Sequence, residues 1–238
     1  MFSASLPLSF DNVYGAIFTD AENCLENVEH NKIIFEKNCF VVICSKIFSY
    51  LPNRADEKEK YKNRMKQKIF TIGHSTHTLE EFISILDKYE ITKLVDVRSI
   101  PKSRHNPQFN KENMQAKLRR RYIHLPGLGG LRHTTKDSPN TGWKNPSFRG
   151  YADYMQTEAF EKNMKKLLAY VQKKQVAIMC AEAVPFRCHR SLIGDALLVR
   201  GFKIVDIYSL TNSKPHKLTG FAKVMGTKIT YPPVGANQ

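Results

Sequence analysis

Residues 175–209, QVAIMCAEAVPFRCHRSLIGDALLVRGFKIVDIYS, form the stretch that decides the fold. An apolar run at 175–181 is followed by an amphipathic segment at 188–200 and by a second apolar run at 203–209. Two short apolar runs separated by a helical pattern predict a strand, a helix and a strand. Because parallel strands need a crossover connection, this unit favours a parallel sheet.

The same alternation is found nearer the amino terminus. Apolar runs predict three further strands, at 68–72, 92–97 and 122–125. Helical patterns lie between the strands, at 79–90, 110–120 and 157–173. Thr78 and Glu81 form a capping-box signature for the first of these helices. Since parallel strands need helices on both faces, we predict an α/β fold, a three-layer sandwich with a mainly parallel five-stranded Rossmann-like sheet.

The charge of the chain is unevenly distributed. The formal net charge is +15, but residues 1–64 carry 8 Lys and Arg against 9 Asp and Glu, whereas residues 65–238 carry 29 against 13. We interpret 1–64 as a leader or extension and 65–238 as one α/β domain, and we expect a chain beginning at Met65 to fold. A positive field favours a phosphate-bearing small molecule or nucleic acid as the partner.

The distribution of the cysteines and the hydropathy of the chain indicate the cellular compartment. Three of the five cysteines fall within 1–64 and two within the predicted domain, which is not the pattern of a disulfide framework. The most apolar stretch, 33–51, is interrupted by three charged residues, unlike a membrane span. We therefore expect a cytoplasmic protein with no membrane partner.

Unusual residues follow the first two predicted strands. In open parallel sheets, ligands bind beyond the carboxyl ends of strands. After the first strand, His74 can carry a proton and Ser75 can donate to an oxyanion, although a capped turn with an incidental histidine explains them equally well. After the second strand, Asp96 can orient the guanidinium of Arg98 towards phosphate or carboxylate. A surface ion pair between Asp96 and Arg98 is the alternative. Arg104 extends the predicted anion site.

The segment 125–155 is rich in Gly, Pro and Asn and is longer than ordinary structureless loops. We interpret it as a lid or a binding loop. It contains Trp143 among several cations, and aromatic rings among cations stack on bases or sugars. Trp143 is therefore a candidate substrate-binding residue, while Phe148 and Tyr154 fit packing against the domain.

The densest cluster lies in the stretch quoted above. Cys180 and Glu182 follow the fourth strand, and the next helix opens with further polar residues, Cys188, His189 and Arg190. A helix amino terminus stabilises anions and lowers the pKa of a thiol. Together with Arg187 and Arg190, it would form a seat for phosphate or carboxylate.

Three chemistries fit this cluster. The spacing from Cys180 to Arg187 is similar to the Cys-x5-Arg loop of cysteine phosphatases and rhodanese-type transferases, but it is one residue longer. Zinc has four ligands in structural sites, so Cys180, Cys188 and His189 would need His74 or His105 as the fourth. The third option is Glu182 as nucleophile or general base on a sugar or nucleoside. For either cysteine alone, a small buried hydrophobe is also a fitting role.

Several motifs occur in a defined order. They are TIGHST, LVDVRSIPKSRHNPQFN, SPNTGW, SFRGYADYM and MCAEAVPFRCHRSLIGDAL. Together they resemble the family named domain of unknown function 488, over about residues 68–210. The resemblance implies an α/β domain with these signature segments: Gly73-His74-Ser75, Asp96-Val97-Arg98 with Arg104, and Cys180-x-Glu182 with Cys188-His189-Arg190. It implies no reaction and no cofactor.

The sequence as a whole favours an enzyme acting on a phosphate-bearing nucleotide, nucleoside or nucleic-acid substrate in a strand-end pocket. Its candidate catalytic residues are Glu182, His74, His189, Cys180 and Cys188. Its candidate substrate-binding residues are Ser75, Asp96, Arg98, Arg104, Arg187, Arg190 and Trp143. No metal is assigned. The alternative is a non-catalytic nucleic-acid-binding or regulatory module, in which Glu182 would form an internal ion pair.

Overall fold

A computed structural model describes residues 67–75 and 77–233, so the predicted extension 1–64 lies outside the described residues. Six strands form the main sheet: β1 Lys68–Gly73, β2 Lys93–Asp96, β3 Tyr122–His124, β4 Val176–Cys180, β5 Lys203–Ile207 and β6 Ser213–Pro215. Their order is β3-β2-β4-β1-β5-β6. The first five strands are parallel, and β6 pairs antiparallel with β5.

Five helices cover this sheet: α1 Leu79–Lys88, α2 Lys111–Leu118, α3 Pro146–Tyr154, α4 Glu158–Val171 and α5 Arg190–Leu198. Successive strand residues point to opposite faces, so Ile69 packs with α3, α4 and α5, whereas Phe70 packs with α1 and α2. The predicted three-layer α/β sandwich is therefore confirmed. No helix in the described ranges is long and apolar enough to cross a bilayer.

The sheet has more strands than the five that the sequence predicted. The additional strand β6 has the sequence SKP and is exposed throughout, so it carries no apolar periodicity. A separate two-stranded hairpin follows it, formed by β7 Lys223–Met225 and β8 Lys228–Thr230. β6 and β7 are exposed throughout, and Ile229 is the one buried residue of β8. Strands this short carry too few apolar residues for a hydrophobic pattern to reveal them.

The strand order places a topological switch point between β1 and β4. These two strands are neighbours, and their carboxyl-terminal residues Gly73 and Cys180 lie side by side. The chain leaves β1 for helix α1 on one face and leaves β4 for helix α5 on the other. Such a switch point is where open α/β sheets bind their ligands. The fold thus places the segments after β1 and β4 at the expected position of a site.

A buried polar cluster holds the carboxyl-terminal part of the domain to the sheet. His216 lies between two carboxylates, with Nδ1 2.9 Å from Asp206 Oδ2 and Nε2 3.1 Å from Asp195 Oδ1. Tyr231 donates to Asp195, and Thr71 donates to Asp206. Burial disfavours the charged imidazole, but the two carboxylates outweigh burial and raise the pKa of His216 to about 9.

We expect this cluster to make the stability of the domain depend on pH. The folded pKa of about 9 exceeds the ordinary value of 6.5, so the stabilisation is complete below pH 6.5 and is lost as the pH rises through 9. The shift corresponds to about 3 kcal/mol of unfolding free energy. Urea unfolding of the parent and of His216→Gln at pH 6 and pH 9.5 measures this contribution to the unfolding free energy.

The difference between these two proteins should be large at pH 6 and small at pH 9.5. His133→Gln is the control, because His133 is exposed. A difference that is the same at both pH values would show that His216 is neutral in the folded protein.

Candidate functional site

Gly73 allows two segments of backbone to cross at the end of β1. A Cβ atom on Gly73 would collide with the carbonyl oxygen of Glu182, and it would lie 2.6 Å from the Glu182 carbonyl carbon and 2.7 Å from Ala183 Cα. The pairing of the two strands continues beyond their ends, since His74 N donates to Cys180 O at 3.2 Å and Ser75 N donates to Ala181 O at 2.9 Å. The segment after β4 is therefore held directly against β1.

Asp96 and Arg98 form a buried ion pair at the end of β2. Arg98 Nε donates to Asp96 Oδ1 at 2.9 Å, and Nη2 donates to Oδ2 at 2.6 Å. Tyr122 also donates to this carboxylate, and Arg98 donates to the carbonyl oxygen of Phe109. Asp96 is fully buried, so the interpretation as a surface ion pair is wrong. Both residues stabilise the strand ends, because nearly all donors of Arg98 have protein acceptors.

His74 belongs to the same buried network. Its Nε2 atom lies 3.0 Å from Arg98 Nη1, and its ring stacks on Phe109 with centroids 4.3 Å apart. Burial, together with the charge of Arg98, lowers the pKa of His74 to about 4. At neutral pH the ring is therefore uncharged, Nε2 accepts from Arg98 and the proton is on Nδ1. This places His74 as a support for Arg98, not as a proton carrier.

Cys180, Cys188 and His189 converge near the switch point between β1 and β4. The two Sγ atoms and His189 Nδ1 all lie within 4.8 Å of one another, and Cys188 Sγ is 3.6 Å from His189 Nδ1. Both cysteines are free and buried. A hydrogen bond from the Cys188 thiol lowers the pKa of Cys180 to about 7, and the same bond raises the pKa of Cys188. Of the two thiols, Cys180 is therefore the one that loses its proton more readily.

Arg190 is a fully buried cation beneath this cluster. Its Nη1 donates to the carbonyl oxygen of Ile72, and its Nη2 donates to that of Ala183 at 3.3 Å. Its Nε has no hydrogen-bond partner, and no carboxylate of the described residues pairs with the guanidinium. The charge of Arg190 also helps to lower the pKa of Cys180. Arg190 thus acts on the thiols electrostatically and cannot touch a ligand from solvent.

His189 is neutral at physiological pH. Burial lowers its pKa to about 4. The ring lies 5.0 Å from the ring of Tyr151, and a Cβ atom on Gly130 would lie 2.5 Å from Nδ1. Its Nε2 is buried and has no hydrogen-bond partner among the described residues. The sequence offered no local signal for Tyr151 or Gly130, which lie in the segment interpreted as a lid.

Glu182 follows β4 two residues beyond Cys180, and it is partly exposed. Among the hydrogen bonds and ion pairs of residues 67–75 and 77–233, none involves its carboxylate. The nearby Arg190 directs its donors to backbone carbonyls instead. Glu182 therefore has no structural partner that would explain its presence there, and its carboxylate is open to a ligand.

The loops after β2, β3 and β4 form a cationic and apolar rim. Its exposed cations and histidines are Lys102, Arg104, His105, His133 and Arg187. Its exposed apolar side chains are Ile100, Leu131 and Phe186, with 67%, 72% and 69% of their surfaces accessible. Ser75 is exposed at the end of β1 and lines an open cleft with His77 and Gln108. These side chains, unlike Arg98 and Arg190, can meet a ligand.

Trp143 is placed differently from the prediction. Its ring contacts Phe148, Phe221 and Tyr231, with centroids 4.8, 5.0 and 5.5 Å away. These contacts make Trp143 part of an aromatic packing cluster that holds the segment 125–155 to the domain. Within that segment, Asp153 accepts hydrogen bonds from Thr135, Ser138 and Asn140. The segment is tied down and includes helix α3, so it is not a structureless loop.

Comparison with known proteins identifies the family. A model of the family described as Domain of unknown function DUF488 matches residues 78–197, about half of the chain. The match is narrower than the 68–210 expected from the motifs and leaves out Gly73 and His74, but it includes the whole segment 180–190. Searches of curated proteins and of solved structures gave no match. The chain belongs to the DUF488 family.

Proposed function

We propose that the domain is an enzyme whose substrate is a phosphate-bearing nucleotide or a related nucleoside or nucleic acid, bound at the switch point between β1 and β4. The observation that carries this proposal is the buried guanidinium of Arg190. Its charge lowers the pKa of both thiols, and no carboxylate in the described ranges pairs with it. Leaving a buried charge without an ionic partner is costly, so packing alone does not account for this arginine.

Glu182 is the group that we assign to acid–base chemistry. It stands two residues beyond Cys180 in the chain, and its carboxylate has no ionic partner in the described part of the chain. A non-catalytic module would use Glu182 in an internal ion pair, and the geometry does not favour that arrangement. Asp96, Arg98 and His74 would contribute by fixing the strand ends, because a small displacement of catalytic groups costs much of the rate.

The rim accounts for the class of substrate. Arg104 and Arg187 are exposed on this rim and can bind phosphate oxygens in two-point contacts. Phe186, with 69% of its surface accessible, offers an apolar ring on which a base can stack. Cations next to an exposed aromatic ring fit a ligand that combines phosphate with a planar base.

A substrate screen tests the proposal. The full chain is incubated with nucleosides, nucleotides and single-stranded DNA and RNA, and products are detected by liquid chromatography with mass spectrometry. We expect at least one phosphate-bearing compound to be consumed. Arg104→Ala and Arg187→Ala should each raise its KM about tenfold or more, since hydrogen bonds to charged groups contribute about 1.5–3 kcal/mol.

Arg120→Ala is the matched control, because Arg120 is exposed near the amino end of β3, at the opposite edge of the sheet. It should leave KM unchanged. Salt-dependent binding of single-stranded nucleic acid without consumption of any compound would instead support the non-catalytic module.

A further inference from the structure

We propose that Cys180, Cys188 and His189 bind a zinc ion, with one coordination position left open. The ligand atoms are the two Sγ atoms and Nδ1, which lie within 4.8 Å of one another. In a tetrahedral site with Zn–S of about 2.3 Å and Zn–N of about 2.0 Å, a sulfur and a nitrogen ligand are roughly 3.5 Å apart. The 3.6 Å between Cys188 Sγ and His189 Nδ1 matches this spacing.

The side chains of neighbouring residues seldom point towards one position, but the backbone conformation of Cys188 and His189 brings theirs together. Cys188 is extended, with φ −134° and ψ 144°, whereas His189 is helical, with φ −53° and ψ −15°. The chain turns between these residues at the start of helix α5, so their side chains converge. Cys188 and His189 can therefore both reach one ion although they are adjacent in the chain. The predicted fourth ligands do not join, because His74 contacts Arg98 and His105 is exposed.

The residues around Cys180 and Cys188 favour a bound metal ion over two protonated thiols. Zinc replaces the two thiol protons, so a zinc with two thiolates adds no net charge beside the buried Arg190. Coordination through Nδ1 puts the imidazole proton on Nε2, which has no partner among the described residues. The backbones of Val97 and Leu128 lie near the ring and raise its pKa, which is the effect of hydrogen-bond acceptors. Such outer acceptors commonly orient metal-binding histidines.

The open position gives the site a reaction class, and this extension rests on the proposed function. Zinc lowers the pKa of a bound water to about 7. When bound, the zinc would make that water a nucleophile at neutral pH. Glu182, two residues beyond Cys180, is the carboxylate that we assign to proton transfer. The site would then suit a hydrolysis, in which the water oxygen goes to the electrophilic centre of the substrate and a proton goes to the leaving group.

Metal content measured on the full chain tests the site without using activity. The protein is purified without chelators or metal-affinity resins, incubated with equimolar Zn²⁺ and dialysed. Its zinc content is then measured by elemental mass spectrometry. We expect about one zinc per chain. Cys180→Ser, Cys188→Ser and His189→Gln should each weaken binding at least tenfold, as measured by competition with a coloured chelator. His133→Gln, an exposed histidine, should bind zinc like the parent.

Replacement of zinc by Co²⁺ identifies the ligands even if a variant is less stable. Two thiolate ligands give a charge-transfer absorption that should fall by about half in each single cysteine variant and vanish in the double variant. A parent chain that takes up no zinc would overturn the proposal. So would a Co²⁺ spectrum that the cysteine substitutions leave unchanged.

The two proposals can fail separately. Zinc binding without turnover of any compound would support the metal site and contradict the proposed enzymatic function. Turnover that persists after a chelator has removed all zinc would support the enzymatic function and would show that the metal site is not the reaction centre.

Discussion

Replacing Glu182 by glutamine is expected to lower turnover of the substrate by about 10²–10⁴-fold, the range typical for loss of a general acid or base. Glutamine has nearly the same shape as glutamate but cannot accept a proton in the same way. Since the Glu182 carboxylate has no ionic partner in the described ranges, the substitution should change the unfolding free energy by no more than about 0.5 kcal/mol.

Turnover and urea unfolding of the same preparation separate chemistry from folding. Glu112→Gln is the matched control, because Glu112 is an exposed carboxylate in the first turn of helix α2. It should turn over substrate at the rate of the parent. If Glu182→Gln also does so, Glu182 has no part in the mechanism, and Cys180 and Cys188 become the catalytic candidates.

Replacing Gly73 by alanine is expected to destabilise the domain by about 4 kcal/mol or more, a loss seen only for severe packing defects. The new methyl group would collide with the backbone of Glu182 and Ala183, with the nearest carbon atoms at 2.6 and 2.7 Å. These backbone atoms cannot move freely, because Ala183 O accepts from Arg190 and Ala181 O accepts from Ser75 N.

Gly220→Ala is the control for this substitution, since nothing lies within 4 Å of the position of its Cβ atom. Urea unfolding should show a near-parental value for Gly220→Ala and a greatly reduced one for Gly73→Ala. A loss below about 1 kcal/mol at Gly73 would mean that the two segments can separate without cost.

The hydrophobic pattern predicted the elements that depend on burial. All five parallel strands follow apolar runs, and Thr78 caps α1 as predicted, with Glu81 N donating to Thr78 Oγ1 at 3.1 Å. The Glu81 carboxylate pairs with His77, at 3.0 Å from Nδ1. Helix α3 was missed although Asn145 caps it and Pro146 opens it. Gly150 and the surrounding Gly and Pro residues pointed to a loop, and packing against the carbonyl of Arg132 explains why glycine is present.

The convergence of the strand ends could be predicted, but the partners of the charged side chains could not. Parallel strands must present their carboxyl ends on one edge, so the proximity of Asp96, Gly73 and Cys180 followed from topology. The direction of Arg190 depends on a carbonyl that is 118 residues away in the chain, at Ile72. Nothing in the local sequence distinguishes this buried arginine from the exposed Arg187.

Strand β6 has a consequence for how the protein behaves when concentrated. The main sheet ends in β3 on one side and β6 on the other, and each is only three residues long. β6 consists of Ser213, Lys214 and Pro215. Pro215 has no amide hydrogen for pairing with another strand, and Lys214 would repel the same lysine of a second molecule. A second molecule therefore finds little edge on which to add a strand, so the domain resists growth into fibrillar aggregates.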